Sequence, residues 1–585
     1  MLSQAQGVLD VFGNVHLSPA VGFLLAGAVV LVYGVYLRLL PKPIPGIPYN
    51  PEATRSLFGD APSMLKETVK TGEFMAWMRK QSENMNAPLC QIFLRPLSNP
   101  TLVLADWREA QDVLMKRKDF DRSSFTRDLM APIEHHHIRM STGSEWKDAR
   151  KLTQDLMIPA FLHKVAAPAI YSKVLDFLHL WELKENLSEG RPFHAQTDIY
   201  HTILDSVCAF SFGASFEYAA VRPQLDLLES LTPEQKSALK GDIDDPVRFP
   251  EAALHENLEV SLTAGHVLEK LMNSAAPKFT LWWENMRPSF RKTLAAKDRF
   301  VMDQIDKSVK KMNANGTADD SWVRSAVDHM ILRETVLAEK SGREPQFFSP
   351  SMNDEIIFNV VGGHETTANT LVWGLKFLTD NPAAQSRLRS ALHAAHPAAL
   401  AEKRLPTLDE ITHTTIPYLD ATMDEMLRLS AMPITREATC DTELLGHRIP
   451  KGTVVLLLSN GPSFLSPSFE IPESKRSKTS QATRVRQWNE AEDMRAYRPE
   501  RWLARGEDGE VRFDATAGPQ LAFGLGQRGC SGRRLAYTKM RIVLTLMLWE
   551  FELLSVPPSL SSYAAKDGLA HTPRQCFIRL GKVQY

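Results

Sequence analysis

The sequence predicts a mainly α-helical body with small β-sheets, tethered by one apolar helix at its N-terminus. Three observations predict it. Apolar residues recur at three- and four-residue spacing around 160–182, 198–212, 297–312, 353–380, 384–396, 417–430 and 532–549, the period of helices with a buried face. Strand-like segments are few and short: TLVLAD (101–106), TVVLLL (453–458) and CFIRL (576–580). The stretch PAVGFLLAGAVVLVYGVYL (19–37) carries no charge and is close to the ~20 residues that cross a bilayer core.

From the N-terminus, the apolar run predicts an uncleaved transmembrane anchor over 19–40. It is longer than the core of a signal peptide, and no positive segment precedes it. Residues 1–18 then form a short lumenal N-terminus, and 41–50 (PKPIPGIPYN) a proline-rich hinge. Asp10 precedes the run whereas Arg38 and Lys42 follow it, an asymmetry that places the body, 51–585, in the cytosol. Lys plus Arg total 68 and Asp plus Glu 69, a net charge of −1 that gives no pull toward nucleic acid. The five cysteines lie far apart with no C-x-x-C, which speaks against a disulfide scaffold or structural zinc and fits a reducing compartment. Cys440 and the others outside the loop discussed next are expected to be packing residues.

Three further segments carry expectations. FTLWWENM (279–286) lies between predicted helices, with core packing as the default and a membrane-dipping loop as the alternative. The polar stretch near 466–493 predicts a surface insertion or mobile loop. His135, His136 and His137 are consecutive and cannot easily converge on one ion, so they predict a loop bordering the substrate pocket.

The motif richest in chemistry is FGLGQRGCSG (523–532). Its GLGQRG satisfies G-x-G-x-x-G, but no apolar strand precedes it and fewer than sixty residues follow, so a dinucleotide fold lacks its context. The other reading makes Cys530 a metal ligand. A helical pattern follows it to about residue 550, and a helix N-terminus stabilises an anionic sulfur. Glycines at 524, 526 and 532 leave room for a large flat group against the backbone, with Arg528 placed to meet one of its carboxylates. A second motif sits inside a long predicted helix, 350–381, with Ser349 as N-cap, Pro350 at the first position and Pro382 at the end. In its middle Gly362 and Gly363, each costing ~1 kcal/mol against alanine, precede Glu365, Thr366 and Thr367.

FGLGQRGCSG matches F-x-x-G-x-R-x-C-x-G, and on it the chain resembles the cytochrome P450 family of haem-thiolate monooxygenases over roughly residues 45–585. The resemblance implies the family's mainly helical fold with small sheets, and haem b as cofactor. Cys530 would be the axial iron ligand, with Phe523, Gly524, Arg528 and Gly532 around it. GGHETT matches the family's acid–threonine pattern. It implies that Thr366 hydrogen-bonds dioxygen at the iron and that Glu365 relays protons, two of which are needed to split the O–O bond heterolytically. WKDAR (146–150) resembles the element beside a haem propionate, so Trp146 and Arg150, with Arg436 and Arg528, would hold the cofactor's carboxylates. Glu425 and Arg428 are three apart on one helix face, a weak surface pair by default; with Arg501 of YRPERW they resemble the family's buried charge network.

The implied reaction inserts one atom of O2 into a hydrophobic small molecule. Two electrons would come from an NADPH-dependent flavoprotein reductase at the endoplasmic reticulum membrane, with the pocket lined near 125–140, 275–290, 355–363, 431–436 and 566–573. Arg533, Arg534, Lys539, Lys147 and Lys151 could form the docking face for that partner. The insertion and the motif variants are similar to fungal members of secondary metabolism. The alternatives are a haem-thiolate isomerase or dehydratase and a non-catalytic haem sensor. Neither needs the acid–threonine pair, and oxygen dependence separates them.

Overall fold

The computed structural model describes residues 19–95, 99–272, 274, 276–318, 320–483 and 488–584. The expected lumenal segment, 1–18, lies outside the described residues, as do 484–487 of the polar insertion. The apolar run is helical, α1 (Pro19–Leu39), and its side chains from Phe23 to Leu39 are exposed, Phe23 at 80%. Among the described residues no helix is long and apolar enough to cross a membrane.

The segment expected to be a free hinge is tied down. The first sheet strand, β1 (Leu89–Ile92), buries Gln91 completely, and its amide is satisfied by residues 44 and 47. Ile44 N–H donates to Gln91 Oε1 (2.8 Å), and Gln91 Nε2 donates to the carbonyls of Ile44 and Ile47 (2.9 and 2.8 Å). A buried amide needs such partners, so the proline-rich stretch becomes part of the sheet edge.

With β2 (Thr101–Leu104), β3 (Phe120–Arg122), β4 (Ile434–Ala438) and β5 (Val454–Leu457), β1 forms a five-stranded sheet in the order β1-β2-β5-β4-β3. β2 and β5 pair in parallel, Leu102 opposite Val455. They are almost fully apolar, as strands covered on both faces must be. Against this sheet lies α2 (Trp107–Met115), capped by Asp106, whose side chain accepts the Glu109 N–H. The polar insertion docks on α2: Arg476 meets Asp106 at 2.8 and 3.0 Å, and Ser477 and Thr479 donate to Asp112 Oδ2. Its described part is therefore a strapped surface element, where composition alone suggested a mobile one.

The helical side is built on α9 and includes α3 (Ser144–Lys151), α4 (Ala167–Ser188), α5 (Gln196–Phe212), α6 (Glu256–Met272), α7 (Pro277–Met286), α8 (Pro288–Asn315), α10 (Pro417–Leu429) and α11 (Arg533–Glu550). The helix α9 itself spans Pro350–Asp380. Ser349 caps it through the Met352 N–H, as the sequence predicts, and most of its length is buried between α5, α6 and α11. The FTLWWENM segment is helical, within α7, and it exposes Trp282 and Trp283 at 54% and 56%. It is not core packing. Cys440 is likewise exposed, whereas Cys90, Cys208 and Cys576 are buried.

The Glu425–Arg428 pair is completely buried in α10 at 2.7 Å. Arg428 Nη1 also donates to the Phe464 carbonyl (2.6 Å), and Glu425 accepts Trp502 Nε1 (2.9 Å) and the Arg498 N–H (3.1 Å). Arg501 stands 3.8 Å from the same carboxylate. Both carboxylate oxygens accept two donors each and all three guanidinium nitrogens donate, the condition under which a buried ion pair is tolerable. Arg428→Met strands the carboxylate and is expected to cost about 3–5 kcal/mol; thermal unfolding of the variant beside wild type checks this.

Candidate active site

The thiolate loop is a tight structure before α11. The Cys530 N–H donates to the Phe523 carbonyl (2.7 Å), and Gly524 and Gly526 take φ +61° and +68°, values that favour glycine. A Cβ on Gly526 would lie 2.3 Å from the Leu114 carbonyl of α2. The expectation that these glycines clear space for a flat group is thus corrected for Gly526, whose role is backbone conformation and contact with α2. Gly532 is the N-cap of α11. Burial raises the Cys530 thiol, opposed by the N–H groups of Gly532 and Arg533 and by Arg150. The side chain is nonetheless accessible.

Beside the loop is an excess of buried cations. Arg436 and Arg528 are buried, and Arg122, half-buried, joins them. In the sheet Arg122 and Arg436 are direct cross-strand partners of β3 and β4. Like charges facing each other this way oppose pairing. Burial and the neighbouring guanidiniums push Arg436 down to about 9, and burial with Arg122 pushes Arg528 to about 10. Both stay charged at neutral pH. The acid that helps, Asp121, is engaged by the Thr142 N–H and hydroxyl at 2.7 Å each. Among the described residues, Arg122 Nε and Arg528 Nε and Nη1 are buried without an acceptor. Trp146 is buried, with Arg528 over its ring at 4.6 Å and Arg150 at 5.5 Å. Three clustered guanidiniums, two of them short of acceptors, next to an accessible cysteine, fit a cofactor with two carboxylates and a metal.

Sequence spacing missed Arg122. Only the register opposite Arg436 reveals it. Lys539, expected from its charge on a docking face, is fully buried and cannot belong to one, whereas Arg533, Arg534, Lys147 and Lys151 are exposed.

In α9 the middle turn differs from its surroundings. Thr366 is exposed within an otherwise buried helix, and its hydroxyl donates to the Gly362 carbonyl (2.8 Å). Burial, with Glu269 adding like charge, raises Glu365 to about 7, and Lys566 opposes this. His364 faces away, its Nε2 3.0 Å from the Tyr200 carbonyl. At the start of α9 Glu355 brings two of the three histidines together, which the sequence argument did not foresee. His137 donates to Glu355 through its backbone N–H (2.9 Å) and Nδ1 (2.8 Å), and His136 Nε2 stands 3.1 Å from the same carboxylate. The cluster has the makeup of a metal site. However, His136 Nδ1 accepts the Ile138 N–H (3.0 Å), so its proton is on Nε2, where an ion would need a lone pair. The arrangement is a hydrogen-bonded strap from loop 135–140 to α9, continued on its far side by Arg528 donating to the Met140 carbonyl (2.9 Å).

Fold and site together define a haem-thiolate protein: a helical body with small sheets, a cysteine loop, anion-seeking arginines and an acid–threonine turn. The comparisons give the family. The Cytochrome P450 model matches residues 71–463 and 485–574. "Cytochrome P450 monooxygenase TRI13" of Fusarium sporotrichioides is 41% identical over 95% of this chain and 98% of its own length. "Cytochrome P450 monooxygenase xilC" of Penicillium rubens is 40% identical over 95% and 96%. The crystal structure of the cytochrome P450DA heme domain superposes with a TM-score of 0.64 at 16% identity, covering 93% of this chain and 99% of that one, a likeness of fold. The chain belongs to the cytochrome P450 family, whose members bind haem b through a cysteine thiolate, and it is an oxygen-incorporating oxidoreductase.

The raised Glu365 has a consequence for stability. Its unfolded carboxyl releases a proton near 4.5 and its folded one near 7, so in between the folded protein binds more protons and loses stability as pH rises. Glu365→Gln removes this slope. The variant's melting temperature should gain on wild type between pH about 4.5 and about 7; a constant gap contradicts the assignment.

Proposed function

We propose that Cys530 is the axial ligand of a haem b whose carboxylates are held by Arg122, Arg150, Arg436 and Arg528, with Trp146, Phe523, Gly524 and Gly532 framing it. The observation that carries this is the cluster of buried guanidiniums short of acceptors beside an accessible cysteine. When bound, haem supplies the redox chemistry that activates dioxygen. The chain's own part is proton management. Glu365, near neutrality at pH 7, holds a proton in the turn next to Thr366, and the Thr366 hydroxyl, now resting on the Gly362 carbonyl, can swing to offer it.

The electrons come from an NADPH-dependent flavoprotein reductase, for which exposed Arg533, Arg534, Lys147 and Lys151 offer a basic face. The substrate is a hydrophobic small molecule, and the full-length fungal relatives favour a role in tailoring secondary metabolites. An anchor in the endoplasmic reticulum membrane, body toward the cytosol, is supported by the charge-free run 19–37 and the exposed apolar side chains of α1. The exposed aromatic face of α7 is suited to touching the same bilayer.

Cys530→Ser should lose the thiolate-type absorption band of the reduced carbon-monoxide complex; a variant that keeps the band refutes the ligand assignment. Thr366→Ala should keep the band, yet form product about 10²-fold more slowly while electrons leave as peroxide. Product and peroxide are counted with any lipophilic metabolite that shifts the haem absorption. Removal of residues 1–40 should move the protein from the carbonate-resistant membrane pellet to the supernatant. Carbonate extraction of the full-length chain would sink the anchor.

A further inference from the structure

Lys539 is buried completely in α11, the helix that begins just after Cys530. Its Nζ donates to the Gly363 carbonyl of α9 at 2.7 Å, the one acceptor it meets among the described residues. Among the described residues no carboxylate pairs with it. The ionisable groups that bear on it are Cys208 of α5 and His364 of α9, both of which burial keeps neutral. An ammonium without a counter-charge is costly in a protein interior, and burial accordingly lowers the Lys539 amine to about 7.

The contact is built from both sides. A Cβ on Gly363 would come within 2.8 Å of Val207 Cγ2 and 3.4 Å of Lys539 Nζ, so the missing side chain is what lets α5 and the amine close on this carbonyl. The preceding carbonyl, that of Gly362, accepts the Thr366 hydroxyl. Two successive carbonyls of a glycine-paired turn therefore take side-chain donors. A donor entering a helix ladder from the side tilts the carbonyl it meets and bends the helix locally. Packing alone needs only the hydrocarbon stem of Lys539, which methionine nearly matches in volume. What methionine lacks is the N–H.

We propose that Lys539 is a positioning residue for oxygen activation: by holding the Gly363 carbonyl it fixes the turn Gly362–Thr366, and so the direction in which the Thr366 hydroxyl is presented. The proposal rests on the role given to Thr366 above. It joins the cysteine side of the site to the dioxygen side by one hydrogen bond, so that α11 orients both.

The test uses the full-length, haem-loaded protein, with carbon monoxide as the probe of the Thr366 side and the infrared C–O stretch as the readout. Thr366→Val calibrates it, since removal of the hydroxyl should move the band. Lys539→Met should move the band in the same direction by at least half as much, with a native thiolate-type spectrum. Lys539→Gln, which keeps a neutral donor one bond shorter, should restore the wild-type position. A wild-type band in Lys539→Met overturns the proposal while leaving Thr366 in place. No shift in Thr366→Val removes the role of Thr366, and the proposal with it. Should Lys539→Met hold too little haem to be read, Lys539→Gln decides alone: a wild-type band supports the proposal, and a band displaced as far as that of Thr366→Val overturns it.

Discussion

Positive charge held in the interior without matching negative charge is the constraint around which this protein is organised. Arg122 and Arg436 face each other across two paired strands, and Arg528 stands close enough to add to their repulsion. Left to itself, such a cluster would pull the sheet edge apart or draw water in. The fold answers with rings and carbonyls. Trp146 lies under two guanidiniums, and Met140 offers Arg528 its backbone oxygen. These contacts soften the repulsion but do not remove the charge. A bound dianion would do both, and would then be part of the core as much as part of the chemistry.

The contrast with Glu425 and Arg428 is instructive. That pair is as deeply buried, but each group has its opposite within 2.7 Å and further partners in Phe464, Trp502 and Arg498. It is self-sufficient and belongs to the frame. The arginine cluster is not self-sufficient: among the described residues Arg122 Nε and Arg528 Nε and Nη1 are without an acceptor. Burial alone does not separate structural from functional charge; the presence or absence of an internal partner does.

Much of this could be seen in the chain itself because the decisive features are local. A cysteine loop, a capped helix with two glycines before an acid and a threonine, and a Glu–Arg pair one turn apart are all written in contiguous residues. What escaped is what the fold assembles from afar. Arg122 gains its meaning from the strand register opposite Arg436. Glu355 reaches His137 across 218 positions. Lys539 is a different failure: its charge put it on a docking face, although Leu535, Lys539, Ile542, Val543 and Leu546 share one buried helix face. The segment at 41–50 was read from its prolines as a spacer, yet a single buried glutamine, Gln91, makes it part of the sheet.

The contact between Gly526 and the Leu114 carbonyl reaches further than the loop it shapes. α2, which ends just beyond Leu114, is gripped at its start by Arg476, on Asp106, and near its end by Ser477 and Thr479, on Asp112, all from the polar insertion. The surface insertion, the helix and the thiolate loop are thus stacked in series, like a buttress, a beam and the keystone it steadies. A change of length or sequence in that outer segment therefore reaches the cysteine loop through a single helix, and the packing around the sulfur begins at the solvent boundary.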